Sequence, residues 1–200
     1  MRSILACALA LIVGATHADR RNYAIETVHT RIYVSASHLG FSKSSGRFHV
    51  ADGSFVFDAD DWSSARVELK IDPAGLDFGN ADWNAAMAGA KFFNIVRFPA
   101  IEFRSTSVSG AGNTGQVLGE LSLLGVTHPV TLDVTFNRIG ADPFSAKVTA
   151  GFSARATISR SLWGMSAMTP EVGDAVELMF EVEGQRRESA PTPGGKGGAR

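Results

Sequence analysis

The side chains here that could do chemistry are a few histidines, serines and aspartates, and their spacing supports little of it. After the first eighteen residues four histidines remain, His29, His38, His49 and His128, and no two form a tight pair. Glu26 and His29 are three apart, which shares one face only on a helix. His29 and His38 offer a metal site only if the fold brings them together. The plainer reading of His29 and His128 is a buried or half-buried hydrogen-bond partner tying a strand end to a loop. Ser153 in Gly151-Phe152-Ser153-Ala154-Arg155 and Ser166 in Gly164-Met165-Ser166-Ala167-Met168 resemble half of a G-x-S-x-G elbow and lack its second glycine. Asp58, Asp60 and Asp61 cluster beside Trp62 without the ligand spacing of a calcium loop, and read as a solvated turn. There is no P-loop, no G-x-G-x-x-G, no H-E-x-x-H and no cysteine pair. The expectation is a protein without catalysis and without a resident metal.

What must position any site is a set of strands. Val67, Leu69 and Ile71 alternate with charged residues, as do Val130, Leu132, Val134 and Phe136 with Thr131, Asp133 and Thr135. Val176, Leu178, Phe180 and Val182 repeat the habit, and Val148, Ala150, Phe152, Ala154, Ala156 and Ile158 line one face of a longer run. Period two with one apolar face marks half-buried strands, about eight to ten of them. Short turns such as Ala51-Asp52-Gly53 and Gly140-Ala141-Asp142-Pro143 separate them, as in an antiparallel meander. One stretch departs from the pattern. Asn80 is a fitting N-cap, Asp82 suits a first turn, Trp83 and Met87 stand at helical spacing and Gly89 suits the end, with a second short turn over Ala90 to Phe93. Such a piece makes a natural lid for a barrel end.

Thirteen Phe and three Trp stand beside two Tyr, spread along the chain. Large rings facing a barrel interior line an apolar pocket or fill it, and period two does not separate these outcomes, nor a barrel from a two-sheet sandwich.

The chain has 200 residues, 44% hydrophobic, 20% charged, with a net charge of −1. That is one globular domain with short appendages, and it lacks the basic excess of a nucleic-acid binder. Residues 1–18 read as a secretory signal: Arg2, an apolar run from Ile4 to Val13, then Ala18 before Asp19. The run is too short to span a bilayer, so no transmembrane anchor is expected. Cys7, the sole cysteine, lies within it, so the processed chain fits an oxidising compartment, the bacterial periplasm. The domain is placed at 19–183, and 184–200, rich in Gly and Pro with Arg186, Arg187, Lys196 and Arg200, reads as a disordered basic tail.

The order of short motifs from Tyr23 to Val182 resembles the YceI-like family of bacterial secreted proteins. Tyr23-Ala24-Ile25-Glu26 with Val28-His29-Thr30 is similar to its opening, with Glu26 for the usual Asp and Thr30 for Ser. His38-Leu39-Gly40, Gly46-Arg47-Phe48, Phe92-Phe93-Asn94 and Phe98-Pro99-Ala100-Ile101-Glu102-Phe103 resemble later blocks. The stretch Gly119 to Val130, with Leu124-Gly125-Val126-Thr127-His128-Pro129, is the most specific. In Arg160-Ser161-Leu162-Trp163-Gly164 the family's acidic residue is absent and Trp163 replaces Phe.

The resemblance implies an all-β, extended antiparallel, lipocalin-like β-barrel of about eight strands with one or two short helices, as a homodimer. It implies a hydrophobic guest with an isoprenoid tail, a polyprenyl lipid or ubiquinone-like molecule, and no other cofactor. The side chains expected around such a guest are Ile32, Val34, Phe41, Phe48, Phe55, Phe57, Val67 and Leu69 from the first half. From the second come Phe93, Phe103, Leu121, Leu132, Phe136, Phe152, Trp163 and Phe180. His29, His38 and Arg160 are the polar groups expected at a mouth. The rival readings are an interaction protein whose barrel its own side chains fill, and a periplasmic redox protein using metal or quinone.

Overall fold

The computed structural model describes residues 21–187; the signal segment expected at 1–18 and the part of the expected tail beyond Arg187 lie outside them. The strands are β1 (Arg21–Ile25), β2 (Arg31–His38), β3 (Ser42–Phe57), β4 (Arg66–Asp77), β5 (Ile101–Ala111), β6 (Thr114–Leu123), β7 (Val126–Ala141), β8 (Val148–Ser159) and β9 (Val172–Arg186). One helix, α1 (Ala81–Ala88), follows β4, and 3-10 turns occupy Trp62–Ser64 and Arg160–Trp163. Every strand pairing is antiparallel, in the order β1-β3-β2-β9-β8-β7-β6-β5-β4, and β3–β4 pairing closes the ring. This is the expected barrel. Closure leaves no long edge unpaired.

The nine strands make eight staves, because β1 and β2 share one. Both run between β3 and β9: β1 against Ser54–Phe57 and Gly184–Arg186, β2 against Ser42–His49 and Val172–Glu181. Between them the chain loops out over 26–30, and Thr30 repairs the ladder. Its hydroxyl donates to the Glu183 carbonyl at 3.2 Å and accepts from the Glu183 amide at 3.1 Å, while the Glu26 amide donates to the same carbonyl at 2.8 Å. Thr30 is completely buried, so an unpaired backbone there would be costly. β9 runs three residues past the boundary at Glu183 expected from sequence, because Gly184, Gln185 and Arg186 are held by β1 and β8.

The interior is built from the alternating faces. Ile32 on β2 stands between Phe48 of β3 and Phe180 of β9, and Phe180 faces the small Ala154 on β8. At the end where β3, β5, β7 and β9 finish, Phe57 contacts Phe152, Phe136 and Trp62 with ring centroids 4.9, 5.1 and 5.1 Å apart. Each such pair adds about 0.5–1.5 kcal/mol beyond area burial. The aspartate cluster proves to be the device that aims Trp62 inward. Asp58 accepts from the Asp60 amide, and Asp61 caps the 3-10 turn by accepting from the Ser63 amide at 3.1 Å. The indole then lies across Gly110 and Gly115, where a Cβ would come within 2.7 and 2.6 Å of it. We call this the closed end.

The other end carries the loops after β2, β4, β6 and β8. There α1 is capped as its sequence predicts: the Asn80 side chain accepts from the Asp82 and Trp83 amides, and Gly89 ends it. The second short turn expected over Ala90–Phe93 is present as a hydrogen-bonded turn. Leu124 and Gly125 make the two-residue β6–β7 turn with φ of 53° and 76°, the paired positive values of a tight hairpin.

Phe103 lies against Gly119 on the neighbouring strand, where an added Cβ would sit 2.3 Å from the ring. Gly119→Ala is expected to cost about 1–3 kcal/mol by displacing a buried ring. Urea unfolding reads this as a lower midpoint at unchanged slope; a midpoint equal to wild type would show that the ring has room to move.

Candidate functional site

The barrel holds a file of cavities. The deepest, about 90 Å³, lies on Trp62 at the closed end and is lined by Phe55, Phe57, Val67, Leu69, Phe103, Leu132, Phe152 and Phe180 among others. The next, about 100 Å³, is lined by Ile32, Val34, Phe48, Leu69, Phe93, Phe103, Leu121, Leu132 and Phe180, with Arg160 its one charged neighbour. Leu69, Phe103, Leu132 and Phe180 wall both, so these four form a belt between them. A third cavity, about 240 Å³, lies under α1 and shares Val34, Phe93, Arg160, Met165 and Val176 with the second. Its remaining wall includes Trp83, Met87, Met168, His38, Ser35 and Ser44. Trp83 and Met168 are 43% and 57% exposed, so this cavity meets solvent and forms the mouth.

Thirteen of the sixteen side chains expected around a guest line these cavities. Three do not. Phe41 is a correction: it lies in the β2–β3 turn and is 89% exposed. Leu39 and Gly40 take positive φ of 54° and 74°, so the chain reverses before Phe41 and strand alternation no longer assigns its side. Trp163 is buried but stands behind the wall: its indole nitrogen donates to the Leu121 carbonyl at 3.0 Å and its ring meets His128 edge-on at 5.2 Å. Phe136 packs onto Phe57 and Phe152 rather than onto a cavity. Residues the sequence reading passed over include Trp62, Met165 and Met87. Trp62 sat beside a polar turn and Met165 beside a supposed serine elbow, which hid their apolar role; the alternation of β4, β5 and β9 would have found Ile71, Ile101 and Leu178, which also line the second cavity.

Of the three polar mouth candidates, the structure brings His38 and Arg160 to one cavity and leaves His29 elsewhere. Arg160 is not a free mouth group. Only 3% exposed, it donates from Nε to the Gly173 carbonyl at 3.0 Å and from Nη1 to the Met165 carbonyl at 2.6 Å. Its Nη2 donates to Thr169 Oγ1 and the Val172 carbonyl, both at 2.8 Å. Burial pulls the guanidinium below its ordinary value and the nearby Asp174 carboxylate opposes this; arginine stays protonated regardless. Asp174 itself is held below the usual carboxylate range, first by the Ser161 amide, which donates to it at 2.9 Å. Arg160 thus fastens the β8–β9 loop, with Met165 and Met168, over the mouth.

His29 lies in the β1–β2 loop, exposed on the barrel flank, because the loop bulges out of the broken stave. Its Nδ1 is 2.8 Å from Glu26 Oε2 and 3.9 Å from Glu183 Oε2, and the three groups lie within 4.8 Å of one another. Glu26 also accepts from the Val28 and His29 amides at 3.1 and 2.7 Å, so the loop's own hydrogen bonds account for the cluster. His128 behaves as its plainer reading expected, bonding the Leu162 carbonyl at 3.0 Å and so tying β7 to the second 3-10 turn. Ser153 donates to the Glu181 carboxylate at 2.7 Å and accepts from the Asn137 amide at 2.9 Å.

Comparison with known proteins agrees with this architecture. The family model of the YceI-like domain matches residues 23–184. A UPF0312 protein of Shewanella denitrificans is 35% identical over 187 residues, covering 92% of this chain and 96% of its own. The crystal structure of BcnA from Burkholderia cenocepacia superposes with a TM-score of 0.70 at 23% identity, covering 80% of this chain and 98% of that one. A polyisoprenoid binding domain from Saccharophagus degradans, implicated in plant cell wall breakdown, gives 0.61 at 14% identity, over 82% and 98%.

Arg160→Lys cannot reach all four acceptors and leaves buried carbonyls unpaired. It is expected to cost about 3 kcal/mol and to speed amide exchange across residues 164–173; a loss below about 0.5 kcal/mol, as for a surface change, contradicts the role given to Arg160. For Glu26, burial pushes the carboxyl up, but the His29 and Val28 amides and the imidazole outweigh it and hold it low. A depressed folded pKa contributes stability that is present above the ordinary carboxylate value and lost as pH falls through the folded one. Glu26→Gln is therefore expected to cost about 1 kcal/mol at neutral pH, with both proteins converging in acid; urea curves separated equally at both pH values would assign no role to the charge.

Proposed function

The chain belongs to the YceI-like domain family, and on that premise we propose that it is a non-catalytic periplasmic carrier for a lipid or quinone with an isoprenoid tail. The observation that carries this reading is the file of cavities from Trp62 to the mouth under α1. Their shared walls make one narrow apolar track, with no carboxylate among its lining residues. A track of that shape suits a chain-like guest, and burial of its surface supplies about 25 cal/mol per Å². The polyisoprenoid binding attributed to the Saccharophagus domain is the same chemistry on the same fold. The tail lies toward Trp62 and the head group at the mouth, beside His38, Ser35 and Ser44. Passage between the two deeper cavities requires the belt of Leu69, Phe103, Leu132 and Phe180 to yield. The absence of catalysis rests on the site chemistry: Arg160 is consumed in structural hydrogen bonds, and His29 and His38 stand at different parts of the barrel. Export follows from the segment 1–18, and no helix among the described residues is long and apolar enough to cross a membrane. The working form is a homodimer.

Native mass spectrometry of the processed protein from a bacterial periplasm, with organic extraction of the same sample, tests this. The expected result is a discrete added mass that is released into solvent and fragments as an isoprenoid, on a subunit pair. No added mass, together with no uptake of quinone or polyprenyl lipid from micelles, overturns the carrier reading in favour of a barrel filled by its own side chains.

A further inference from the structure

Six of the eleven large exposed apolar side chains among the described residues sit on connections at one end of the barrel. Leu39 and Phe41 in the β2–β3 turn are 51% and 89% exposed, Trp83 on α1 43%, and Val96 in the turn before β5 94%. Leu162 in the second 3-10 turn is 55% exposed and Met168 in the β8–β9 loop 57%. All six sit on connections at the mouth end. Phe144, at 98%, is the sole comparable side chain on the closed-end connections among the described residues. Other atoms join these connections into one rim. The Leu39 amide donates to the Glu171 carbonyl at 2.7 Å, and the His38 ring packs on Trp83 at 6.1 Å. Trp83 and Met168 also wall the mouth cavity, so the apolar rim continues directly into the track.

Water-soluble proteins seldom leave so many large apolar side chains exposed together without a partner. The chemistry of this rim favours a bilayer. Aromatic and aliphatic side chains project beside the exposed cations Lys91 and Arg97, and Arg97 is stacked over the Phe98 ring at 5.1 Å. Asp82 and Glu171 are the exposed acids on the same loops, so the rim carries no net charge and its apolar side chains supply the attraction. Aromatic and aliphatic anchors around an apolar mouth are what a membrane interface binds. The proposed cargo requires the same thing, since an isoprenoid tail crossing free water costs about 0.8 kcal/mol per methylene, a cost that is avoided only if the mouth touches the bilayer during exchange.

We propose that the mouth rim is a membrane-docking surface, which seats the cavity mouth against the head-group layer of a bilayer. The exchange role rests on the carrier reading; the docking itself does not.

The test uses the processed full chain and vesicles of phosphatidylcholine with or without phosphatidylglycerol. The wild type is expected to co-sediment with both kinds of vesicle, with a blue shift in tryptophan emission. Trp83 is the reporter, because Trp62 and Trp163 are 4% and 2% exposed. The double variant Phe41→Ser, Val96→Ser removes two side chains that wall no cavity. It is expected to lose about ten-fold or more in vesicle partition while keeping ubiquinone uptake from detergent micelles. Docking is overturned if the wild type takes up ubiquinone from micelles but ignores both vesicles, or if the double variant partitions as well as wild type. It is also overturned if the double variant instead converts a dimer to monomers, which would make the rim a self-interface. Vesicle binding that the double variant abolishes, without quinone uptake by either protein, keeps the docking surface and removes the carrier reading.

Discussion

Eight staves fix the width of the interior, and every inward side chain must share that one cylinder. The resulting constraint is a packing one, and rings govern it. An eight-stranded barrel has just enough width for side chains or for one slender guest. Phenylalanines placed on every inward face would overfill it. The chain avoids this by setting small residues opposite the large ones: Ala154 opposite Phe180, Gly119 beneath Phe103, and Gly110 and Gly115 beneath Trp62. Rings lying flat on glycines leave residual space along the axis instead of scattered holes in the wall. The file of cavities is a consequence of that arrangement, and so is the belt that interrupts it.

The two ends of the barrel answer the same constraint differently. At the closed end the solution is hydrophobic, with Trp62 held in place by Asp61 and packed on Phe57. At the mouth it is ionic. Desolvating a guanidinium is costly, and Arg160 offsets that cost through four acceptors, two in the β8–β9 loop and two at the start of β9. Polar groups satisfied in this way hold Met165 and Met168 without filling the space beneath them. One end is therefore sealed by bulk, while the other is framed by hydrogen bonds around an opening.

How far this was legible in the sequence depended on whether a residue lay inside a regular repeat. The inward faces of β4, β7, β8 and β9 alternate cleanly, and thirteen of the expected lining residues follow from them or their partners. α1 was legible because Asn80 and Gly89 carry capping chemistry that is local. The failures sit where the repeat stops. Phe41 is as apolar as Phe48, but positive φ at Leu39 and Gly40 separates it from the strand register. Arg160 reads as a free cation in one dimension, because its four acceptors come from the β8–β9 loop and the first residues of β9, folded back upon it. His29 and Arg160 are both polar residues at strand ends, and only topology shows that they belong to different parts of the barrel. Closure itself, as against a sandwich, was invisible to periodicity: it depends on β3 meeting β4 as well as β2, a fact of register rather than composition.

The broken first stave shows why register matters to the site. A continuous strand from Arg21 to His38 would carry one alternation throughout. The loop at 26–30 resets it, so that Tyr23 and Ile25 face inward beside Phe55, and Ile32 and Val34 face the second cavity. The reset costs ladder hydrogen bonds, and these are recovered by the Thr30 hydroxyl on Glu183 and the Glu26 carboxylate on its own loop. Thr30 and Glu26 thus work at a distance from the track, through the phase of the strand that lines it. Serine and aspartate at these two positions would supply the same hydroxyl and carboxylate. That equivalence explains in physical terms why Glu26 and Thr30, where the family pattern has Asp and Ser, leave the architecture of the barrel intact.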